Sequence, residues 1–216
     1  MHWIDPDYLP ETTGTVDLFL LNPRGEADGL ILDDGMEVHF PPHMAKEVVA
    51  ALKSGDKVKI RGVRPRGTEM IAAVSLETAN GTQIVDDGPP GENHEHKPGK
   101  KHAADARKPM EVEGIVRRPL HGPRGETRGA LLEDGRIVRI PPHAAESIRN
   151  QLAAGKTLAA SGQGVTNALG AVVDAEEIGA SLAQLKPVKS KKKPHEHGEH
   201  KHGKHDEHSK KHAPAG

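Results

Sequence analysis

Seven of the fifteen histidines in this 216-residue chain fall within its last 22 residues, as His195-Glu196-His197, His200-Lys201-His202, His205, His208 and His212. Neutral imidazole nitrogen suits Zn²⁺, Ni²⁺, Co²⁺ and Cu²⁺, and a pliant chain can gather several rings about one ion without a preformed site. Lys, Glu, Gly and Asp interrupt the run, unlike the unbroken stretch of a cloning tag. These seven residues are the candidate ligands of a divalent transition metal, with Cu²⁺ and Ni²⁺ expected to bind tightest. No cofactor is otherwise required. A solvated Lys- and His-rich polycation is the alternative reading of the same segment.

The second set of chemistry-bearing side chains is cationic. Arg24, Lys57, Lys59, Arg61, Arg64 and Arg66 lie in the first half, and Arg117, Arg118, Arg124, Arg128, Arg136 and Arg139 in the second. Such groups contact phosphate oxygens, and the alternative is ordinary surface charge. The net charge of −1 conceals −7 over residues 1–90 and +5 over residues 186–216, a segregation that matters because fields act locally. With no cysteine there is no disulfide, thiolate site or thiol nucleophile, which suits a cytoplasmic protein. Ser-His-Asp groupings, phosphate-cradling Gly loops and HExxH are absent from the sequence, so no enzyme is expected. The acidic start, Asp5-Pro6-Asp7, is unlike a signal peptide, and no apolar run approaches the ~20 residues of a membrane span.

The elements that must position these groups come in duplicate. Asn22-Pro23-Arg24-Gly25-Glu26 returns as Gly122-Pro123-Arg124-Gly125-Glu126, and Gly29, Leu32, Asp34-Gly35, Val38, Pro41-Pro42-His43, Leu52, Gly55 and Gly62 each recur one hundred residues later. The repeat divides the chain into an N-terminal arm (1–11), a first domain (12–87), a linker (88–109), a second domain (110–184) and a tail (185–216). Linker and tail, nearly devoid of apolar residues, are expected to be disordered, leaving the two domains flexibly joined. Within the first unit, alternation predicts strands around Val16, Leu30-Ile31-Leu32, Val38 with Phe40, Val58 with Ile60, and Met70 to Leu76. Asp34-Gly35 predicts a two-residue hairpin turn. Pro41-Pro42 opens a helix marked by Met44, Val48 and Leu52, which Gly55 ends. The second unit follows the same order, with its helix marked by Ala144, Ile148 and Leu152 and a core thinned by Ala130, Ala160 and Ala171.

Five strands with one helix between the third and fourth is the order of the OB-fold, a small Greek-key barrel. The expected class is therefore all-β, two tandem OB-fold-like five-stranded barrels. The chain also resembles a family of uncharacterised bacterial OB-fold, nucleic-acid-binding-like proteins. The likeness lies in Asn22-Pro23-Arg24-Gly25-Glu26, Gly29-Leu30-Ile31-Leu32, Asp34-Gly35 and Val38-His39-Phe40-Pro41-Pro42-His43, echoed in the second unit, and covers about two thirds of the chain. The OB reading places a ligand across strands two and three, between the loop after strand one, with Arg24 or Arg124, and the loop after strand four. That second loop holds Arg64-Pro65-Arg66-Gly67 in unit one and is expected to hold Gly162-Gln163-Gly164 in unit two. Aromatic platforms are scarce: Trp3 and Tyr8 precede the first unit, Phe40 reads as core, and Phe19 alone is placed to face a ligand. Pro-Pro-His reads as a structural loop-to-helix corner.

Two functions follow. One is a non-enzymatic module that contacts RNA or single-stranded DNA without sequence preference and carries a metal-binding tail. The other is a metal-handling accessory or storage protein whose barrels dock a protein partner. Neither involves a membrane.

Overall fold

A computed structural model describes residues 5–65, 69–88, 107–122 and 124–188. The first barrel is built from β1 (Glu11–Leu21), β2 (Ala27–Leu32), β3 (Glu37–His39), α1 (Ala45–Ala51), β4 (Lys57–Val63) and β5 (Met70–Thr78), with a short outer strand β6 (Gln83–Val85). Strand order is β3-β2-β1-β4-β5-β6, and a parallel pairing of β3 with β5 closes the cylinder. The second barrel repeats this with β7 (Lys108–His121), β8 (Thr127–Leu132), β9 (Ile137–Arg139), α2 (Pro142–Ala145), β10 (Thr157–Asn167), β11 (Gly170–Gly179) and an outer β12 (Lys186–Pro187). Its sheet thus continues past residue 184, and Val188 donates its N–H to Glu176 O and packs on the second core.

Register reproduces the sequence repeat. Val16 faces Leu32 as Val116 faces Leu132, with bulges at matching places. The offset then changes, because Glu37 pairs with Met70 whereas Ile137 pairs with Val172, so β11 runs two residues out of step with the hundred-residue period. The extra length lies in the β10–β11 hairpin. Gly162-Gln163-Gly164 consequently sits inside β10 rather than in a loop, correcting the sequence expectation. The recurrent Gly29 and Gly129 have a steric reason: a Cβ there would come within 2.4 Å of Val38 O and 1.9 Å of Val138 O.

Two local expectations also change. Leu32 bonds Met36 across the β2–β3 turn, leaving three residues in the loop, with Gly35 at φ +86°. This is a turn ending in a left-handed residue, not the two-residue form. In unit two the expected helix lasts four residues and then tightens into a 3₁₀ segment, Glu146–Leu152. Ser147 Oγ donates to Ala144 O at 2.7 Å, occupying the carbonyl that the Ile148 N–H needs, and Ile148 leaves helical geometry. Pro41-Pro42 and Pro141-Pro142 do form loop-to-helix corners, and His43 ties the first to Asp86 at 2.9 Å.

The barrels are packed face to face, which overturns the expectation of flexible joining. Leu120, Leu131, Ile137, Val165 and Val172 of unit two belong to the same apolar cluster as Phe19, Leu21, Leu30 and Ile31 of unit one. The second barrel's separate core is rich in alanine, including Ala130, Ala144, Ala145 and Ala160; Ala171 stays half-buried. Polar seams flank the shared cluster, and Asp17 pairs with Arg117 at 2.6 Å. These two residues are one repeat apart, so the contact lies on a pseudo-two-fold axis.

Candidate functional site

Strands two and three, the expected ligand face, are the surfaces that the barrels bury against each other. Every residue of β2 except the half-buried Asp28 is buried, as are all of β3 and β9. Alternation would leave one side of each strand to solvent, and the partner barrel covers that side. The partner barrel therefore occupies the face on which a ligand was expected, apart from a cleft at its edge that Asp28, His39, Arg128 and Arg139 line.

At the centre of the seam lies Glu37, with no exposed surface. Its carboxylate accepts from His121 Nδ1 at 2.9 Å, from the His121 backbone N–H at 3.0 Å, and from Arg118 Nη2 at 3.3 Å, while His39 Nε2 lies 3.3 Å away. Burial pushes the carboxyl up, but hydrogen bonds from His121 and His39 outweigh it and hold the pKa at about 2. Across the pseudo-axis three of these positions are apolar, with Ile137 in place of Glu37 and Leu18 and Leu21 in place of Arg118 and His121, while Arg139 stands in place of His39. A carboxyl depressed from 4.5 to about 2 stabilises the fold in its ionised form. That contribution is full above pH 4.5 and is expected to fade as pH falls through about 2, by about 3 kcal/mol in all. Acid unfolding monitored by urea titration at stepped pH checks this, and a loss already complete at pH 4.5 would contradict it.

Several predicted phosphate contacts are absorbed by this interface. Arg139 is 5 % exposed and donates through Nε to Leu21 O and through Nη2 to Asp28, each at 2.7 Å, so it is removed from any solvent-facing site. Arg117 and Arg118 hold Asp17 and Glu37. Others are paired within their own barrel: Arg128 Nε with Glu126 at 2.8 Å, and Arg136 Nε with Asp134 at 2.7 Å. Arg24 and Arg124 are exposed on the loops after β1 and β7. Arg66 and the seven tail histidines lie outside the described residues.

The outer face of β1, β4 and β5 stays open to solvent. Lys57, Lys59 and Arg61 alternate outward from β4, and the cross-strand partners on that side are Thr15, Thr13 and Glu11. Successive cations therefore repeat about every 6.7 Å along an extended strand. Lys59 pairs with Glu77 at 3.3 Å and Arg61 with Glu11 at 2.9 Å, which moderates the field. Arg64 donates to Thr12 Oγ1 at 3.0 Å, and a shallow recess of about 420 Å³ is lined by Thr13, Thr15, Lys57 and Lys59.

One aromatic residue joins this row. A 3₁₀ turn, Pro6–Tyr8, is capped by Asp5 and tied to β4 by Arg61 Nη1, which donates to Asp7 O at 3.1 Å. Tyr8 is 88 % exposed there, whereas Phe19, expected to face a ligand, is 6 % exposed and lies in the core. Sequence reading passed over Tyr8 because its tether is a backbone carbonyl, which no residue pattern records.

Among the described residues, no group of three or more His, Cys, Asp or Glu is arranged to hold a metal ion, and no helix is long and apolar enough to cross a membrane. No family model and no curated protein matches the chain. Among solved structures it is similar to the wild-type single-stranded DNA binding protein from Thermus aquaticus at 16 % identity and a TM-score of 0.25, covering 78 % of this chain and 90 % of that one. A deletion variant of the same Thermus aquaticus protein matches at 17 % identity and a TM-score of 0.24, over 86 % of this chain and 96 % of that one.

Proposed function

We propose that this is a non-enzymatic, cytoplasmic binding protein whose first barrel contacts single-stranded DNA or RNA along the outer face of β4. The observation that carries the reading is the exposed Tyr8 beside the row Lys57, Lys59 and Arg61, with Arg64 just past the end of the strand. A cationic track with a stacking ring is the minimal equipment for holding a single strand without reading its sequence. Binding is weak and salt-sensitive, because Glu77 and Glu11 already compete for two of the cations. Changing Lys57, Arg61 and Arg64 together to Ala is expected to flatten the log-affinity against log-salt slope by about 2, at roughly 0.7 per phosphate contact on a single strand. Tyr8→Ala is expected to weaken binding by about 1–3 kcal/mol with little change in slope. Gel shifts of an unstructured oligonucleotide at stepped salt read both, and absence of binding by the wild type at low salt overturns the proposal.

A second activity is favoured by the seven imidazoles between 195 and 212, which supply donors for Ni²⁺, Zn²⁺, Co²⁺ or Cu²⁺. If the tail is the working part, the protein is a metal-handling accessory or store and the barrels are its docking body for a protein partner.

A further inference from the structure

The pseudo-axis that relates the barrels also bisects a cleft of about 400 Å³. Ten of its lining residues form five repeat pairs, among them Asp28 with Arg128, His39 with Arg139, and Pro42 with Pro142. Two of these pairs, Asp28 with Arg128 and His39 with Arg139, are alike in place and unlike in charge. In one half, Asp28 and Arg139 close on each other at 2.7 Å and neutralise one another. In the other half the same two positions carry Arg128 and His39, and among the described residues no carboxylate bridges the two, each instead meeting its own, Glu126 and Glu37. Arg128 spends only Nε on Glu126, and its terminal amino groups bond to no other described residue. His39 is anchored through Nε2 on Glu37, leaving Nδ1 without a hydrogen bond to a described residue.

We propose that this cleft binds a small organic anion of about mononucleotide size, with its phosphate or carboxylate on Arg128 and its body between the proline corners. The vacancy that repeat symmetry exposes is for one negative group, and a bidentate guanidinium edge recognises such a group best. Buried Phe40 and Ile140 form an apolar floor, and exposed Pro42 and Pro142 form rigid rims. Asp174, the register partner of Arg139, lines the same cleft and offers an acceptor to an amine on the ligand. A cavity near 400 Å³ falls in the range that small ligands occupy. The site is separate from the β4 face and does not depend on the nucleic-acid reading.

The test uses the full chain, calorimetry and ¹H–¹⁵N spectra, with 5′-AMP, adenosine and L-phenylalanine as probes. AMP is expected to bind and to shift the imidazole signals of His39 and His121, with adenosine at least about tenfold weaker. Arg128→Gln is expected to weaken AMP about tenfold or more while the melting temperature holds. L-Phenylalanine binding that Arg128→Gln abolishes supports the same site with a carboxylate as its anion. Binding of AMP and L-phenylalanine unaffected by Arg128→Gln, or AMP shifts confined to the β4 face, overturns the proposal, as does no binding by any probe.

Discussion

Replacing Glu37 by Ala is expected to cost about 3–5 kcal/mol of stability, because it leaves the half-buried Arg118 without its counter-charge and His121 and His39 without their shared carboxylate. Arg118 already has a buried Nε without a hydrogen-bond partner, so its Nη2 contact with Glu37 at 3.3 Å matters to it. His121 loses acceptors for both its ring and its backbone N–H. For a chain of this size the change amounts to a fall in melting temperature of about 10 °C. The pseudo-symmetry supplies a stringent companion variant. Glu37→Ile with Arg118→Leu and His121→Leu writes the apolar half of the interface onto the polar half, using the residue types found at Ile137, Leu18 and Leu21. Because well-packed apolar groups often match or exceed a buried ionic cluster, the triple variant is expected to recover most of the loss. Urea and thermal unfolding of the three proteins decide the matter. A Glu37→Ala protein within about 1 kcal/mol of wild type would mean that the barrels do not rely on this seam.

The barrels were legible in the sequence because they rest on local signals. Strand alternation at Val58 and Ile60, the proline corners and the turn glycines each act over a few residues, and the structure contains the corresponding elements. Their mutual packing was not legible, because an apolar residue on β2 or β3 reads as core whether it faces its own barrel or the neighbouring one. Leu131 and Ile137 belong to strands of unit two and lie in the cluster centred on unit one. The repeat did contain a usable signal. Positions 17, 18, 21 and 37 change character together at 117, 118, 121 and 137, with Asp against Arg, Leu against Arg, Leu against His and Glu against Ile. Coordinated change of this kind fits two faces that meet each other and no longer need to match themselves. The cationic residues illustrate the opposite failure. Arg117, Arg118 and Arg139 have the composition of a phosphate site, yet their partners lie 80 to 120 residues away and sequence spacing gives no hint of them.

Removing the tail is expected to abolish transition-metal binding while leaving the barrels intact. The cut belongs after Val188, since Lys186–Pro187 pairs with β11 and Val188 is bonded to Glu176. The segment beyond carries all seven terminal imidazoles, enough for two incomplete sites, so the full chain is expected to take up more than one Ni²⁺ or Zn²⁺ and the truncated chain none. Affinity should collapse as pH drops through the ordinary imidazole range near ~6.5, because each proton competes for the ring nitrogen that would bind the ion. The melting temperature of the barrels is expected to be indifferent to metal, since only a ligand that prefers the folded state raises stability and the described residues hold no ligand cluster. Calorimetry on both proteins with Ni²⁺ and Zn²⁺ separates the outcomes. Equal stoichiometry with and without the tail would refute the assignment. A metal-induced rise in the melting temperature of the truncated chain would instead direct attention to His39 and His121, whose rings already meet at Glu37.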